Sequence, residues 1–224
     1  EGQPAFIHGG PFANIAHGNN SILATKLALK LADYVVTEGG FASDLGAEKF
    51  FDLVAPQFGL VPDVVVLVAS VRALKSHGGV PLVEMATPDP AAVDRGLSNL
   101  KKHLSNLREV FRLPVVVALN KFPTDAPEEV AVVLDFCRGE QVPAEISEVV
   151  AQGGVGGTKL AQEVLTTIDT AENHFTPLYS SATPLEAKIA LLATKIYGAS
   201  EVTYTKEGQR ALEEIKNLGF DHLP

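Results

Sequence analysis

Short, wholly apolar runs alternate along the chain with stretches whose apolar residues recur every three or four positions. Val64-Val65-Val66-Leu67-Val68-Ala69 and Val115-Val116-Val117-Ala118-Leu119 are continuously apolar. A strand covered on both faces requires that pattern, and strands of parallel sheets are covered on both faces. These runs predict strands over Val64–Ser70 and Val115–Asn120, with others at Ala5–His8, Tyr34–Glu38 and Ala144–Ser147. Helical periodicity lies between them. Asn20–Ala32 carries Ile22, Leu23, Leu27 and Leu31 on one side, and Pro90–Phe111 carries Leu97, Leu100, Leu104, Leu107 and Phe111.

Punctuation residues mark the helix ends. Asp125 and Glu128 bracket a start as a capping-box-like pair, because an aspartate oxygen accepts a free amide of the first turn. That helix stops at Gly139. Thr183-Pro184-Leu185-Glu186 predicts another start, with proline at the first helical position, and Gly198 ends it. A last helix is expected near Thr205–Leu218. The alternation of strand and helix with short links implies an α/β fold, a mostly parallel sheet with flanking helices. Gly78–Pro90 reads as a surface excursion, and the strand-poor region after about residue 150 as a smaller helical lobe.

Composition narrows the classes. The chain has 224 residues, 46% apolar and 20% charged, which is globular composition. A formal net charge of −9 argues against non-specific nucleic-acid binding, which needs clustered Lys and Arg. The single cysteine, Cys137, permits no intramolecular disulfide and sits in an apolar helical pattern, as a buried thiol would. No apolar run reaches membrane-spanning length and no signal peptide is evident, so the expected location is cytoplasmic. The chain opens at Glu1-Gly2-Gln3-Pro4 without an initiator Met, which predicts a piece of a longer protein.

Ligands of open parallel sheets bind beyond the carboxyl ends of the strands. Four such ends run into polar or glycine-rich sequence: His8–Asn20, Glu38–Gly46, Ser70–Gly79 and Asn120–Asp125. Four together predict a binding cleft on one rim. Glu38 ends an apolar strand, as a metal-coordinating or simply solvated carboxylate. Phe41 and Phe122 lie in polar loops, where a ring either stacks on a flat heterocycle or folds back on the core. His8, His17 and His77 share no metal-ligand spacing, so no metal site is expected. Gly153-Gly154-Val155-Gly156-Gly157 lacks the context of a dinucleotide fingerprint and reads as a flexible helix lead-in. No Gly-x-x-x-x-Gly-Lys-Ser/Thr loop, the simplest holder of triphosphate, occurs anywhere.

The same strand-end segments resemble the formate–tetrahydrofolate ligase family. The likeness is carried by Gly10-Pro11-Phe12-Ala13-Asn14-Ile15-Ala16-His17-Gly18, by Tyr34-Val35-Val36-Thr37-Glu38 with Gly40-Phe41, and by Asp44-Leu45-Gly46-Ala47-Glu48-Lys49-Phe50. Its most specific stretch is Val68-Ala69-Ser70-Val71-Arg72-Ala73-Leu74-Lys75 with His77-Gly78-Gly79. Asn120 with Phe122-Pro123-Thr124-Asp125, Lys195-Ile196-Tyr197-Gly198-Ala199 and Leu218-Gly219-Phe220 follow in order.

The resemblance implies a P-loop-NTPase-like, Rossmann-type α/β fold, with the phosphate loop upstream of Glu1. It implies that residues 1–112 belong to the nucleotide-binding domain and 113–224 to a folate-side α/β domain. The enzyme would use ATP and Mg²⁺, assisted by a monovalent cation, to make formyl phosphate from formate. It would then pass the formyl group to N10 of tetrahydrofolate, as a homo-oligomer, commonly a tetramer. Phe122 would be one wall of an aromatic slot for the folate, with Pro123 beside it and Ile146 lining it. Ala13 and Phe41 would lie in the ligand cleft, and Asn14 and Glu38 complete the candidate nucleotide-binding or cleft set. Arg72, Lys75 and His77 belong to the signature without an assigned chemical step, and Lys75 is either structural or close to phosphate. The catalytic residues are not identified.

Departures from the family pattern carry weight. The second wall of the slot is usually a Trp a little beyond Ile146, yet this chain contains none, and Val150 stands in that region. Losing a stacking partner costs about 0.5–1.5 kcal/mol beyond area. An alternative function follows, a non-catalytic folate- or nucleotide-binding or assembly module derived from the ligase fold. A nicotinamide-dependent dehydrogenase is a third, for which the sequence offers no adequate fingerprint.

Overall fold

The computed structural model describes residues 2–7, 9 and 18–223. In chain order, the first helices are α1 (Ile22–Leu31) and α2 (Ala55–Phe58). Strand β1 (Val65–Ala69) leads into α3 (Val71–His77) and α4 (Pro90–Ser105), and β2 (Val115–Asn120) into α5 (Pro127–Gly139). Then come β3 (Ala144–Ser147), α6 (Val149–Gln152) and α7 (Thr158–Thr170). The chain closes with α8 (Leu185–Leu191) and α9 (Lys206–Asn217). The described chain forms two compact units, one of Pro62–His174 and one of Gly2–Val61 with Phe175–Pro224.

The first unit holds a parallel sheet in the order β1-β2-β3, with Val65 opposite Val115 and Asn120 opposite Ser147. Central β2 is buried along Val115–Leu119, as its unbroken apolar run predicts. The equally apolar β1 behaves differently. Leu67 and Ala69 are buried, but Val66 and Val68 are 40% and 65% exposed. Among the described residues only one face of β1 is covered, so the expectation of cover on both fails for it.

Helix α4 begins under Asp89, whose carboxylate accepts the Ala92 N–H at 2.9 Å. Its predicted stripe of Leu97, Leu100, Leu104, Leu107 and Phe111 is buried. The α-helix does not run unbroken to Phe111. It relaxes after Ser105 into a π-helical turn over Asn106–Val110. Two glycines set how closely α3 and α4 meet. A Cβ on Gly96 would fall 2.0 Å from the Leu74 carbonyl oxygen, and one on Gly78 would fall 1.9 Å from that of Ala92. Helix α5 starts two residues beyond Asp125. Ala126 is the cap, and Glu129 returns a carboxylate oxygen to the Ala126 N–H at 3.0 Å. Helix α7 packs on β2 and β3. The region after residue 150 therefore begins inside the sheet's own unit.

In the second unit, the expected strands Ala5–His8 and Tyr34–Glu38 do not form among the described residues, and His8 lies outside them. The only pairing among that unit's described residues is an isolated antiparallel bridge between Asn19 and Gly39. An apolar run becomes a strand only when another strand takes up its N–H and C=O groups, and among the described residues no strand pairs with Tyr34–Glu38. The stripe of α1 is likewise uncovered: Leu23, Leu27 and Leu31 are exposed and Ala28 is buried. The core of this unit gathers Phe51, Val54, Ala55, Leu60, Tyr179 and Ile196. Phe51 meets Phe50 edge to face at 5.7 Å and Phe175 at 5.9 Å. Pro184 caps α8 instead of opening it, one residue later than expected. Thr205 caps α9 by accepting the Gly208 N–H at 3.1 Å.

The compact units do not follow the line between residues 112 and 113. β1 and β2 lie on either side of that line and pair along their length. Among the described residues no helix is long and apolar enough to cross a membrane.

Candidate functional site at the carboxyl edge of the sheet

Within the first unit, the carboxyl ends of β1, β2 and β3 open onto Ser70, Asn120 and Ser147. Ser70 turns the chain into α3 by accepting the Ala73 N–H at 3.3 Å. Beyond β2, the loop closes on itself. The Phe122 N–H donates to Asp125 Oδ2 at 2.9 Å, and the Asp125 N–H donates to the Phe122 carbonyl at 3.0 Å. Asp125, read from sequence as a helix cap, instead clamps this turn.

The ends of β2 and β3 are tied together. The Lys121 N–H donates to the Ser147 carbonyl at 3.0 Å, and Lys121 Nζ meets Glu148 Oε1 at 2.9 Å. Gln152 Nε2 donates to the other Glu148 oxygen at 3.0 Å. The Glu148 N–H donates to the Gly156 carbonyl at 3.0 Å. A Cβ on Gly156 would stand 2.6 Å from the Glu148 carbonyl group, so this glycine is required by close backbone approach. The glycine run forms a 3₁₀ turn over Gly153–Gly157 that leads directly into α7.

The four residues expected on the folate side all belong to this edge. Phe122 is half-buried and Pro123 exposed on the clamped loop. Ile146, in β3, is half-buried opposite Leu119, and Val150, in α6, is 69% exposed. Glu38 and Phe41 belong to the second unit. The Glu38 N–H donates to Asn20 Oδ1 at 2.7 Å. Phe41 takes a left-handed backbone, φ 76°, with its ring 72% exposed. Ala13 and Asn14 lie outside the described residues, as do His8 and His17. Of the four rims expected from sequence, those after β1 and β2 end strands of one sheet. The segment Glu38–Gly46 follows an unpaired stretch, and most of His8–Asn20 is not described.

Lys75 is 1% exposed and forms an ion pair with Glu129 at 2.8 Å. Its ammonium also donates to the carbonyls of Met85 at 2.9 Å and Thr87 at 2.6 Å. Those bonds occupy its donors, so the structural alternative for Lys75 is the one realised. Burial by itself would raise the Glu129 carboxyl. Hydrogen bonds from Lys75 and from the Asp89 and Ala126 N–H groups outweigh it and hold the group below the usual carboxylate range. Burial pushes the Cys137 thiol up to about 11, which suits an unreactive core residue.

Sequence reasoning did not single out Glu48 and Asp52. They sit one helical turn apart, both buried, and Asp52 Oδ1 accepts the Leu178 N–H at 2.6 Å. Burial first, then the neighbouring Asp52, raises Glu48 to about 8, and burial raises Asp52 to about 6. Their spacing of four amid Phe50, Phe51 and Val54 was the available signal. A cavity of about 570 Å³ lies at the opposite, amino end of β2 and β3, among Arg108, Arg112, Gln141, Thr166 and His174.

A formate–tetrahydrofolate ligase family model matches residues 1–224. The chain belongs to that family. A ligase acting on formate and tetrahydrofolate in one-carbon metabolism is therefore its functional class. Among the described residues, no group of three or more His, Cys, Asp or Glu is placed to hold a metal ion. The carboxyl edge of this ligase chain offers an aromatic ring, aliphatic surface and backbone, with one screened Lys–Glu pair.

Proposed function

We propose that this chain supplies the folate side of an ATP-dependent ligase that makes 10-formyltetrahydrofolate through formyl phosphate. The observation that carries the reading is the clamped Phe122–Asp125 turn at the end of β2, in a chain matched throughout by the family. Formate is a poor electrophile until one oxygen becomes a phosphate leaving group. In the transfer, N10 attacks the formyl carbon, a C–N bond forms, the C–O bond to phosphate breaks, and N10 gives up its proton.

The task of these residues is to hold the pterin-bearing amine still and keep water from the mixed anhydride. Phe122 offers a face for stacking, Pro123 stiffens the same loop, and Ile146 and Val150 add apolar lining. Glu38 and Phe41, with Ala13 and Asn14, are assigned to the nucleotide-binding part of the site or to the cleft beside it. Mg²⁺ and a monovalent cation would assist phosphoryl transfer in the complete enzyme. The 224-residue chain by itself makes no formyl phosphate, because its sequence holds no Gly-x-x-x-x-Gly-Lys-Ser/Thr loop.

Steady-state kinetics of the complete gene product test this reading. Phe122→Ala raises KM for tetrahydrofolate by roughly tenfold and leaves KM for ATP near its starting value. An unchanged folate KM removes Phe122 from the slot. A second reading, a non-catalytic module, draws on the exposed Val150 where an aromatic wall is usual. It requires that the complete protein turn over no ATP with formate, so formate-dependent ADP release discards it.

A further inference from the structure

The buried pair Lys75–Glu129 has its own connection to the folate loop. Glu129 Oε1 receives Lys75 Nζ at 2.8 Å and the Asp89 N–H at 2.8 Å. Glu129 Oε2 receives the N–H of Ala126, the last residue before α5, at 3.0 Å. The same Lys75 ammonium holds the carbonyls of Met85 and Thr87. One cation therefore joins three pieces: α3, the Gly78–Pro90 excursion and the start of α5. Ala126 directly follows Asp125, whose carboxylate fixes the Phe122 N–H at 2.9 Å. From Lys75 to Phe122 the links are one ion pair, one cap and one clamped turn.

A pair this completely buried is weak evidence of added stability, because apolar residues of similar volume often serve as well. What it supplies is a fixed geometry, since both carboxylate oxygens and the ammonium donors are committed. We infer that Lys75, acting through Glu129, is a positioning residue that sets the Phe122–Asp125 turn for folate binding. The inference rests on reading Phe122 as a wall of the folate slot. It gives the signature lysine a role at the folate rather than at phosphate.

The test is steady-state kinetics of the complete gene product carrying Lys75→Met, Glu129→Gln, Phe122→Ala, or Lys75→Met with Phe122→Ala. Lys75→Met raises KM for tetrahydrofolate at least fivefold, with KM for ATP and formate within twofold. Added to Phe122→Ala, it raises the folate KM no further, because its effect runs through that ring. Glu129→Gln keeps the side-chain shape and shifts folate KM in the same direction by a smaller factor. It decides the matter should Lys75→Met fail to fold. The inference is overturned when Phe122→Ala raises folate KM but the Lys75 and Glu129 variants leave it within twofold. It is also overturned when those variants raise all three KM values together, as general loosening would. An unchanged folate KM in Phe122→Ala instead removes the slot itself, and this inference with it.

Discussion

Glu48 and Asp52 are two carboxyl groups buried in one helical turn, beside the equally buried Tyr179. Burial, followed by the nearby Glu48 and Asp52 charges, raises the Tyr179 phenol as well. A carboxyl whose folded value is raised is held protonated in the folded state. Its contribution to stability is complete below the unfolded value and is lost as pH rises through the folded one. For Glu48 that window runs from 4.5 to about 8, and for Asp52 from 3.8 to about 6. Thermal melts across it should show the midpoint falling as pH rises. Glu48→Gln should remove most of that fall, raising Tm near pH 8 by a few degrees, since about 1 kcal/mol moves Tm roughly 2–4 °C in a chain of this size. A flat wild-type profile would mean that the pair is ionised throughout. Val150 permits a complementary test at the same scale. Val150→Trp restores an aromatic surface and should lower folate KM by roughly 2–10-fold, the factor equivalent to a stacking pair.

At the scale of elements, identical patterns met different surroundings. The apolar runs at residues 64–69 and 115–119 look alike, and each became a strand within a residue of its predicted ends. Burial then separated them: β2 is buried along Val115–Leu119, while Val66 and Val68 of β1 face no covering layer among the described residues. Periodicity reports what a segment can bury, not what is present to bury it, and α1 repeats the lesson with its exposed leucines. Helix starts were legible to within two residues. Asp125 was misread because its carboxylate found the Phe122 N–H, and Glu129 supplied the cap contact. The close crossing of α3 and α4 was not legible, since a glycine inside a helical pattern does not announce its neighbour. It yields a sharp expectation. Gly96→Ala would force a methyl group to within 2.0 Å of the Leu74 carbonyl oxygen. Urea unfolding should show a loss of about 1–3 kcal/mol. A loss under about 0.5 kcal/mol, the size of an ordinary surface change, would show that the helices part without cost.

For the molecule as a whole, the parallel sheet and its carboxyl edge could be read from sequence, because strand, turn and helix follow one another locally. The partition into units could not. One unit is assembled from both ends of the chain, and Asp52 bonds Leu178 across 126 positions. The four residues expected on the folate side came from the family resemblance, not from the pattern, and the fold spaces them along the loop after β2, β3 and α6. The partners that lock them, Lys121 with Glu148 and Lys75 with Glu129, are 27 or more positions apart and needed the fold to meet. The central claim is that the family's formyl transfer uses this edge to hold the folate. The most direct measurement incubates the complete gene product with ATP, formate and tetrahydrofolate and follows 10-formyltetrahydrofolate. The account predicts product that depends on all three substrates, with half-saturation by folate shifted upward in Phe122→Ala. Absence of formyl-folate from the intact protein, or a Phe122→Ala enzyme that saturates with folate as the parent does, would contradict it.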